Sequence, residues 1–404
     1  MPGDRPYTAV IGGGPAGLIA AERLSESAAV TVFDHKRSVG RKFLLAGRGG
    51  LNITHGEPIE QLLDRYDAAR AFLEPAIRAF SPSDLRDWSA SLGEPTFVGT
   101  SDRIFPQSFR ATPLLRAWLH RLDEAGVQFA TDHRWLGWND DGTADFGSAQ
   151  FANFDATVFA LGGASWPRVG SDGGWVEPFR AAGIKVNELQ PANCGVAIEW
   201  SRALTDKFEG QPIKNVVLSC RDATARGDAI VTSIGLEGGP VYALGPAVRA
   251  ELADQGEAVV TVDTHPDLAL DALIDRLSKR RPRASLTSWL GSAGVSPIAT
   301  SLAREATANQ LPNEPHRLAG LLKALPITVE HMAPIDRAIS SAGGIALSEI
   351  DDKFMIARRP GVFVAGEMID WEAPTGGYLL QACFSTGLAA AEGMLTWLSG
   401  GRAQ

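Results

Sequence analysis

Along the chain, runs of apolar residues end repeatedly at glycine clusters, and the period of the pattern changes there. Tyr7-Thr-Ala-Val-Ile11 is an apolar, strand-like run that stops at Gly12-Gly-Gly14-Pro15-Ala16-Gly17. A helix-compatible segment, Leu18 to Leu24, follows at once, and Val30-Thr-Val-Phe-Asp34 reads as a second strand ending on a carboxylate. The β-branched run Phe154–Leu161 is expected as a buried parallel strand returning to the same sheet, ending at Gly162-Gly163. Near the C-terminus, a strand over 361–370 ends at Gly366, Glu367 and Asp370. Thr375-Gly376-Gly377-Tyr378 then opens a long helix over 379–398.

Between these landmarks the pattern is less regular. His35 to Thr54 is bent and polar and reads as a loop laid along a ligand. Residues 58–92 carry helical spacing, with Pro75 and Pro82 expected to break the stretch. Asp102–Ser108 reads as a turn, and Thr112 is expected to cap a helix with Pro113 at its first position. Val127–Ala130, Arg134–Trp138 and Thr143–Phe146 are expected as short antiparallel strands. From Pro191 the character changes to strand-like pieces up to Val262, then to helices over 266–277 and 297–324. Residues 339–345 and 349–351 look like a hairpin.

The glycine cluster gives the opening unit its chemistry. At this spacing Gly12 makes a tight turn, Gly14 lets the backbone approach a pyrophosphate, and Gly17 lets helix and strand pack closely. The helix N-terminus at Pro15-Ala16 offers free N–H groups and partial positive charge, and Asp34 is placed to take ribose hydroxyls. In the loop that starts at His35, the cations Arg41, Lys42 and Arg48 suit phosphates. Gly47, Gly49 and Gly50 permit close backbone contact there, and Asn52 offers donor and acceptor to a heterocycle. Gly162 and Gly163 are expected on the adenosine or pyrophosphate side.

Length and charge narrow the class. The 404 residues suit two or three domains. No apolar run approaches the roughly 18–20 residues of a membrane helix, and Met1–Pro6 is polar, so a cytoplasmic protein without a membrane partner is expected. The net charge of −9 argues against a broad nucleic-acid surface, and the basic run Lys279–Arg283 reads as a solvated helix end. Cys194, Cys220 and Cys383 are far apart and the histidines show no ligand spacing, so no disulfide framework and no metal site are expected.

NAD-binding chains seldom need a C-terminal segment that returns to the site. FAD does, because negative charge gathers at the N1/O2 edge of its ring on reduction, where a helix N-terminus is stabilising. The fingerprint at Gly12, the strand ending at Gly366 and the Thr375-Gly-Gly helix therefore read as FAD, held non-covalently. Asp370 is placed for a polyol chain. The fold class is α/β: a Rossmann-like FAD-binding domain over 1–190 plus 336–404, with an inserted substrate domain over 191–335. The insert's β part is expected at about 191–262 and its helical part at about 263–325.

The chain resembles the aminoacetone oxidase-like FAD-binding flavoproteins, which include bile-acid-inducible (BaiN-type) reductases. The resembling segments run in family order: Gly12–Gly17, Gly40–Lys42, Ala46–Thr54, Arg103–Pro106, Leu161–Gly163, Gly235–Pro240, Ala342–Gly344, Ala365–Asp370 and Thr375–Tyr378. The resemblance implies a glutathione-reductase-like FAD fold with an insert. It places Gly49, Gly50 and Asn52 along the flavin, and Asp370, Gly376 and Gly377 at the ribityl chain and ring. Leu51 stands where the family usually has Cys, and Glu237-Gly-Gly-Pro replaces the usual Gly-x-Ser-Gly-Pro, which marks a divergent branch.

The expected chemistry is hydride transfer between a small amine, amino-ketone or enone and flavin N5. Arg48, Arg103, Glu237 and Tyr242 are the acid–base candidates, the last two in a domain expected to roof the flavin. The alternatives are an NAD(P)H-dependent ene-reductase, with the nicotinamide docking transiently because no second fingerprint follows a strand, and an FAD-holding redox sensor or RNA-docking flavoprotein. A monomer or small homo-oligomer acting on a small molecule, with no nucleic-acid partner, is expected.

Overall fold

The computed structural model describes residues 5–46, 49–149, 151 and 153–401. It divides into two compact units, Met1–Gln190 with Ser340–Gln404, and Pro191–Ile339. Residues 336–339 fall in the second.

The first unit is built on a five-stranded parallel sheet in the order Val362–Val364, Ala156–Phe159, Tyr7–Ile11, Ala29–Asp34, Gln128–Thr131. Ala9, Val10, Val32, Phe33 and Val158 are wholly buried, as expected of a parallel sheet covered on both faces. Helix Pro15–Ser25 and the 24-residue helix Tyr378–Gly401 pack together beside it. The part-buried Glu22 carboxylate ties this layer to its neighbours. It accepts the indole N–H of Trp88 at 3.1 Å and of Trp118 at 2.6 Å, and pairs with Arg121 at 2.9 Å.

Several local expectations give way to tertiary partners. Gln128–Thr131 is the fifth parallel strand, in register with Thr31–Asp34, and only Gly137–Trp138 and Ala144–Asp145 form an antiparallel ribbon. Arg103–Pro106 is a strand rather than a turn, because Thr54–His55 on one side and Thr96–Val98 on the other satisfy its backbone. Arg41–Ala46 is a helix within the expected loop, anchored by the buried Phe43. Pro75 sits inside helix Arg70–Ala79, and the chain breaks before it, where Asp67 adopts φ 41°. Helix Ala111–Glu124 starts without a side-chain cap, which puts Pro113 at the third position, where its missing N–H would be unpaired in any case. Ser340–Ile345 is a strand followed by a 3-10 turn, Leu347–Glu349, not a hairpin.

The second unit holds a seven-stranded antiparallel sheet in the order Leu325–Val329, Ala258–Asp263, Pro212–Cys220, Ala223–Thr232, Gly235–Glu237, Val196–Ala197, His331–Met332. Burial in the third of these strands shifts phase between Ile213 and Val216, where a bulge puts Asn215 at φ 49° and then restores alternation through Leu218 and Cys220. The single helix expected over 297–324 is two, Pro297–Ala306 and Pro315–Lys323, interrupted at Ala308 and Asn309 by positive φ. Among the described residues no helix is long and apolar enough to cross a membrane.

Candidate functional site

In the first unit the chain leaves Tyr7–Ile11 to one side for Ala29–Asp34 and Gln128–Thr131, then crosses to the other side for Ala156–Phe159 and Val362–Val364. Such a reversal opens a crevice at the carboxyl ends of the strands. The crevice is there: Ile11 and Asp34 at strand ends, Ala160 and Ala365 just past theirs, and Trp135 in the segment after Gln128–Thr131 line it.

Three glycines shape its floor in three different ways. Gly12 has φ 115°, and a Cβ there would lie 2.2 Å from the Ala160 carbonyl oxygen, so the turn admits no other residue. A Cβ on Gly17 would lie 1.9 Å from the Gly12 oxygen, inside the contact of helix on strand. At Gly14 a Cβ would meet nothing within 4 Å. Packing does not require a glycine at that position, and a side chain there would fill the cradle in front of the helix N-terminus. Pro15 and Ala16, which open this helix, also line the crevice.

The wall, largely apolar, carries polar groups of which several are unsatisfied. Asp34 accepts the Gly13 N–H at 3.1 Å and the Lys36 N–H at 2.8 Å. Burial nevertheless outweighs these donors and pushes its carboxyl above the usual range. A carboxylate carried at that cost suits a ligand more than the fold. His35 Nε2, Ser171 Oγ and Trp135 Nε1 are buried without hydrogen-bond partners, and all three residues line the crevice. Burial, with Arg134 nearby, pushes the His35 imidazole down. Burial works against ionised Asp172, but Arg134 at 2.7 Å and the Gly174 N–H hold it below the ordinary range. Cys383 also lines the crevice, its thiol pushed up to about 12 by burial and is a poor nucleophile.

Lys42, on helix Arg41–Ala46, donates to Ser165 Oγ and Glu367 Oε2, both at 2.7 Å. The other Glu367 oxygen accepts the Ser341 N–H at 2.8 Å. This charge-neutral knot joins segments 325 positions apart at the crevice. Gly162, Arg41 and Gly366 line the same space. Gly163 turns away, because a Cβ on it would strike Ser341 Oγ at 2.3 Å.

The remaining flavin-side candidates gather elsewhere in the same unit. Asn52 lies just before strand Thr54–His55, and its Oδ1 is buried without a partner. Gly49 is exposed, and Gly50 at φ 107° sits against the Phe109 ring. Gly377 presses on the Thr54 backbone, and Tyr378 stacks on His55 at 5.0 Å. Asp370 accepts from Asn187 at 2.6 Å. Gly47 and Arg48 lie outside the described residues.

The acid–base candidates divide between the units. Arg103 lies in the first, opposite His55 in the strand pairing. Glu237 and Tyr242 lie in the second, where burial, and then the Glu237 charge, push the Tyr242 phenol up. Sequence reading missed the wall residues Trp135, Ser171 and Asp172. Ser171 and Asp172 were signalled only by the glycine-rich run Gly170–Gly174, and Trp135 by nothing local.

Comparison with known proteins adds the context. Residues 6–393 match the HI0933-like protein Rossmann domain. The chain is 25% identical to a 3-dehydro-bile acid delta(4,6)-reductase of Clostridium scindens, over 94% of this chain and 97% of the relative. It is 22% identical to a ribosomal RNA dihydrouridine synthase of Escherichia coli, over 96% and 97%. The crystal structure of 3-ketosteroid delta1-dehydrogenase from Sterolibacterium denitrificans superposes with a TM-score of 0.52 at 12% identity, covering 96% of this chain and 99% of that one. That likeness is one of fold.

Proposed function

The chain belongs to the HI0933-like Rossmann-domain family, and from that premise we propose that it is an FAD-dependent oxidoreductase passing a hydride between a small organic substrate and flavin N5. The observation that carries this reading is the crevice, with an open cradle at Gly14 and the orphaned buried atoms His35 Nε2, Ser171 Oγ and Trp135 Nε1 along its wall. Buried polar atoms without partners are costly, and a polar ligand relieves that cost.

Bound flavin supplies the two-electron chemistry. The chain's residues hold and orient it. Asp34 accepts ribose hydroxyls, and His35, Ser171 and Trp135 enclose the adenosine end. The helix N-terminus behind Gly14 and Arg41 would face the pyrophosphate, while Lys42, paired with Glu367, would add a donor at the same edge of the crevice. Glu367 and Asp370, each already held by partners in the fold, would lie along the polyol chain, and Gly162 and Gly366 would leave it room. At the ring end, Asn52 Oδ1 would be a ready acceptor, and the N-terminus of the helix that Gly376 and Gly377 lead into would supply positive charge to the N1/O2 edge. The unpartnered polar atoms of the crevice and the open cradle at Gly14 are what supports this placement.

Within the substrate classes of amine, amino-ketone and enone, the name of the Clostridium scindens relative favours a conjugated ketone. Reduction of such a substrate needs an electron donor, and NAD(P)H docking transiently fills that need. The test is anaerobic: record the visible spectrum of purified protein, then add NADH or NADPH. Bleaching of the flavin band supports the ene-reductase reading, and an enone panel follows. Bleaching by amines but not by nicotinamides supports an amine oxidase or dehydrogenase. A flavin reduced by neither, on protein that retains RNA, points to an RNA-directed role like that in the name of the Escherichia coli relative.

A further inference from the structure

One polar cluster of the first unit, which includes Tyr378, reaches beyond the residues given a role above. Glu57, with a side chain only 7% exposed, receives three donors: Tyr378 Oη at 2.7 Å and the Arg65 guanidinium at 3.2 and 2.7 Å. Burial raises the cost of its charge, but Arg65 and Tyr378 outweigh this and hold its carboxyl below the ordinary range. Tyr378 is thereby fixed at both ends, since its carbonyl also accepts from the buried Tyr66 hydroxyl at 2.9 Å. On the fixed ring lies the His55 imidazole, 5.0 Å away and inclined by 22°.

The imidazole is fixed in its second dimension too. The Glu57 backbone N–H donates to His55 Nδ1 at 3.2 Å, so Nδ1 presents its lone pair and the proton of the neutral ring sits on Nε2. His55 is one residue beyond Thr54, whose backbone touches Gly377, and three beyond Asn52 with its unpartnered Oδ1. A Cβ on Gly376 would come within 2.8 Å of the Tyr378 ring and 3.8 Å of the imidazole. The side chain keeps 12% of its surface exposed. A histidine fixed in orientation and tautomer but still accessible is arranged to present one donor.

We propose that His55 presents its Nε2–H as a hydrogen-bond donor to the electron-rich edge of the bound flavin ring, and that Tyr378, Glu57 and Arg65 are positioning residues acting through it. This rests on the flavin reading above. A fixed donor stabilises the reduced, more negative ring over the oxidised one, so it raises the tendency of the flavin to accept electrons.

The test compares wild type with His55→Phe, which keeps a ring against Tyr378 but removes the donor, and His55→Gln, which restores one. Flavin content and thermal stability are measured first, then the ratio of reduced to oxidised flavin at a fixed dye potential. The expected result is unchanged flavin content, a ratio lower by about tenfold in His55→Phe, the size of one charge-assisted hydrogen bond, and substantial recovery in His55→Gln. An unchanged ratio in flavin-loaded His55→Phe overturns the role of His55 and leaves the flavin reading standing. A wild-type chain that takes up no flavin overturns both. Should the Phe variant fold poorly, imidazole nitrogen shifts of the wild-type protein decide. A protonated Nε2 whose shift moves on adding FAD supports the role, and an Nε2 indifferent to FAD overturns it.

Discussion

Each unit buries an apolar core of its own, the first unit's the larger, yet the two differ in what their backbones leave undone. In the parallel sheet the strand ends and the segments after them line one crevice, glycines stand where a Cβ would strike backbone, and polar atoms of the wall lie buried without partners. In the insert, neighbouring strands of the antiparallel sheet satisfy one another, ion pairs such as Lys323 with Asp263 and Arg226 with Asp267 are closed, and Arg304 Nε lies buried without a hydrogen-bond partner outside that sheet, on helix Pro297–Ala306. The first kind of structure carries its function in backbone geometry, and a change of one atom distinguishes binding from folding. The insert also has a glycine pressed on backbone, Gly235, whose Cβ would lie 1.9 Å from the Val196 oxygen, but there the close approach joins two strands of one sheet and lines no crevice wall named above.

The sharpest way to break this contrast uses Gly17 and Gly14. Gly17→Ala puts a carbon 1.9 Å from the Gly12 oxygen and is expected to cost about 3 kcal/mol or more of stability, read as a fall in Tm of the flavin-free protein. Gly14→Leu meets open space. It should leave that Tm unchanged while weakening FAD binding by about a hundredfold or more, about 2.7 kcal/mol. Equal loss of stability in both variants would erase the distinction.

Lys42→Met comes next. It strands the Glu367 carboxylate, whose side chain is 11% exposed, and should cost about 1–3 kcal/mol, below the figure for a fully buried pair because Lys42 reaches solvent. Lys42→Met together with Glu367→Gln should recover part of the loss in a double-mutant cycle.

A smaller effect is expected with pH. Glu57 has its carboxyl held below its ordinary 4.5. Its contribution is therefore complete above that value and is lost as pH falls through the lower folded-state value. Glu57→Gln should lower Tm at neutral pH, by about 1–2 kcal/mol of stability, and flatten the acid limb of a Tm–pH profile. A parallel acid limb would assign that limb to other carboxylates.

The smallest effect belongs to the insert. Glu237→Gln and Tyr242→Phe are expected to leave flavin content and spectrum as in wild type and to alter only steps that depend on substrate. Loss of flavin from either would contradict the division of labour.

Much of the first unit was legible because its signals are local. The run Tyr7–Ile11, the glycine spacing to Gly17 and the carboxylate at Asp34 each declare themselves within a few residues, and the Rossmann-type architecture followed. What escaped depends on distant partners. Gln128–Thr131 is parallel only because Ala29–Asp34 accepts it, and Arg103–Pro106 is extended only between two other strands. The helix Arg41–Ala46 was hidden by its flanking glycines, although Lys-Phe-Leu-Leu-Ala has good helix formers and one anchor to bury. The His55–Glu57–Arg65–Tyr378 cluster draws on segments 321 positions apart, and nothing in the spacing of Glu57 and Tyr378 announces it.

The most direct measurement is a titration of flavin-free protein with FAD, and separately with NAD, for wild type and Gly14→Leu at matched stability. Saturable, one-to-one uptake of FAD by wild type, with a yellow product and little affinity for NAD, is the predicted result, and the variant should stay colourless. A wild-type chain that ignores FAD, or a Gly14→Leu protein that loads fully, would contradict the account at its centre.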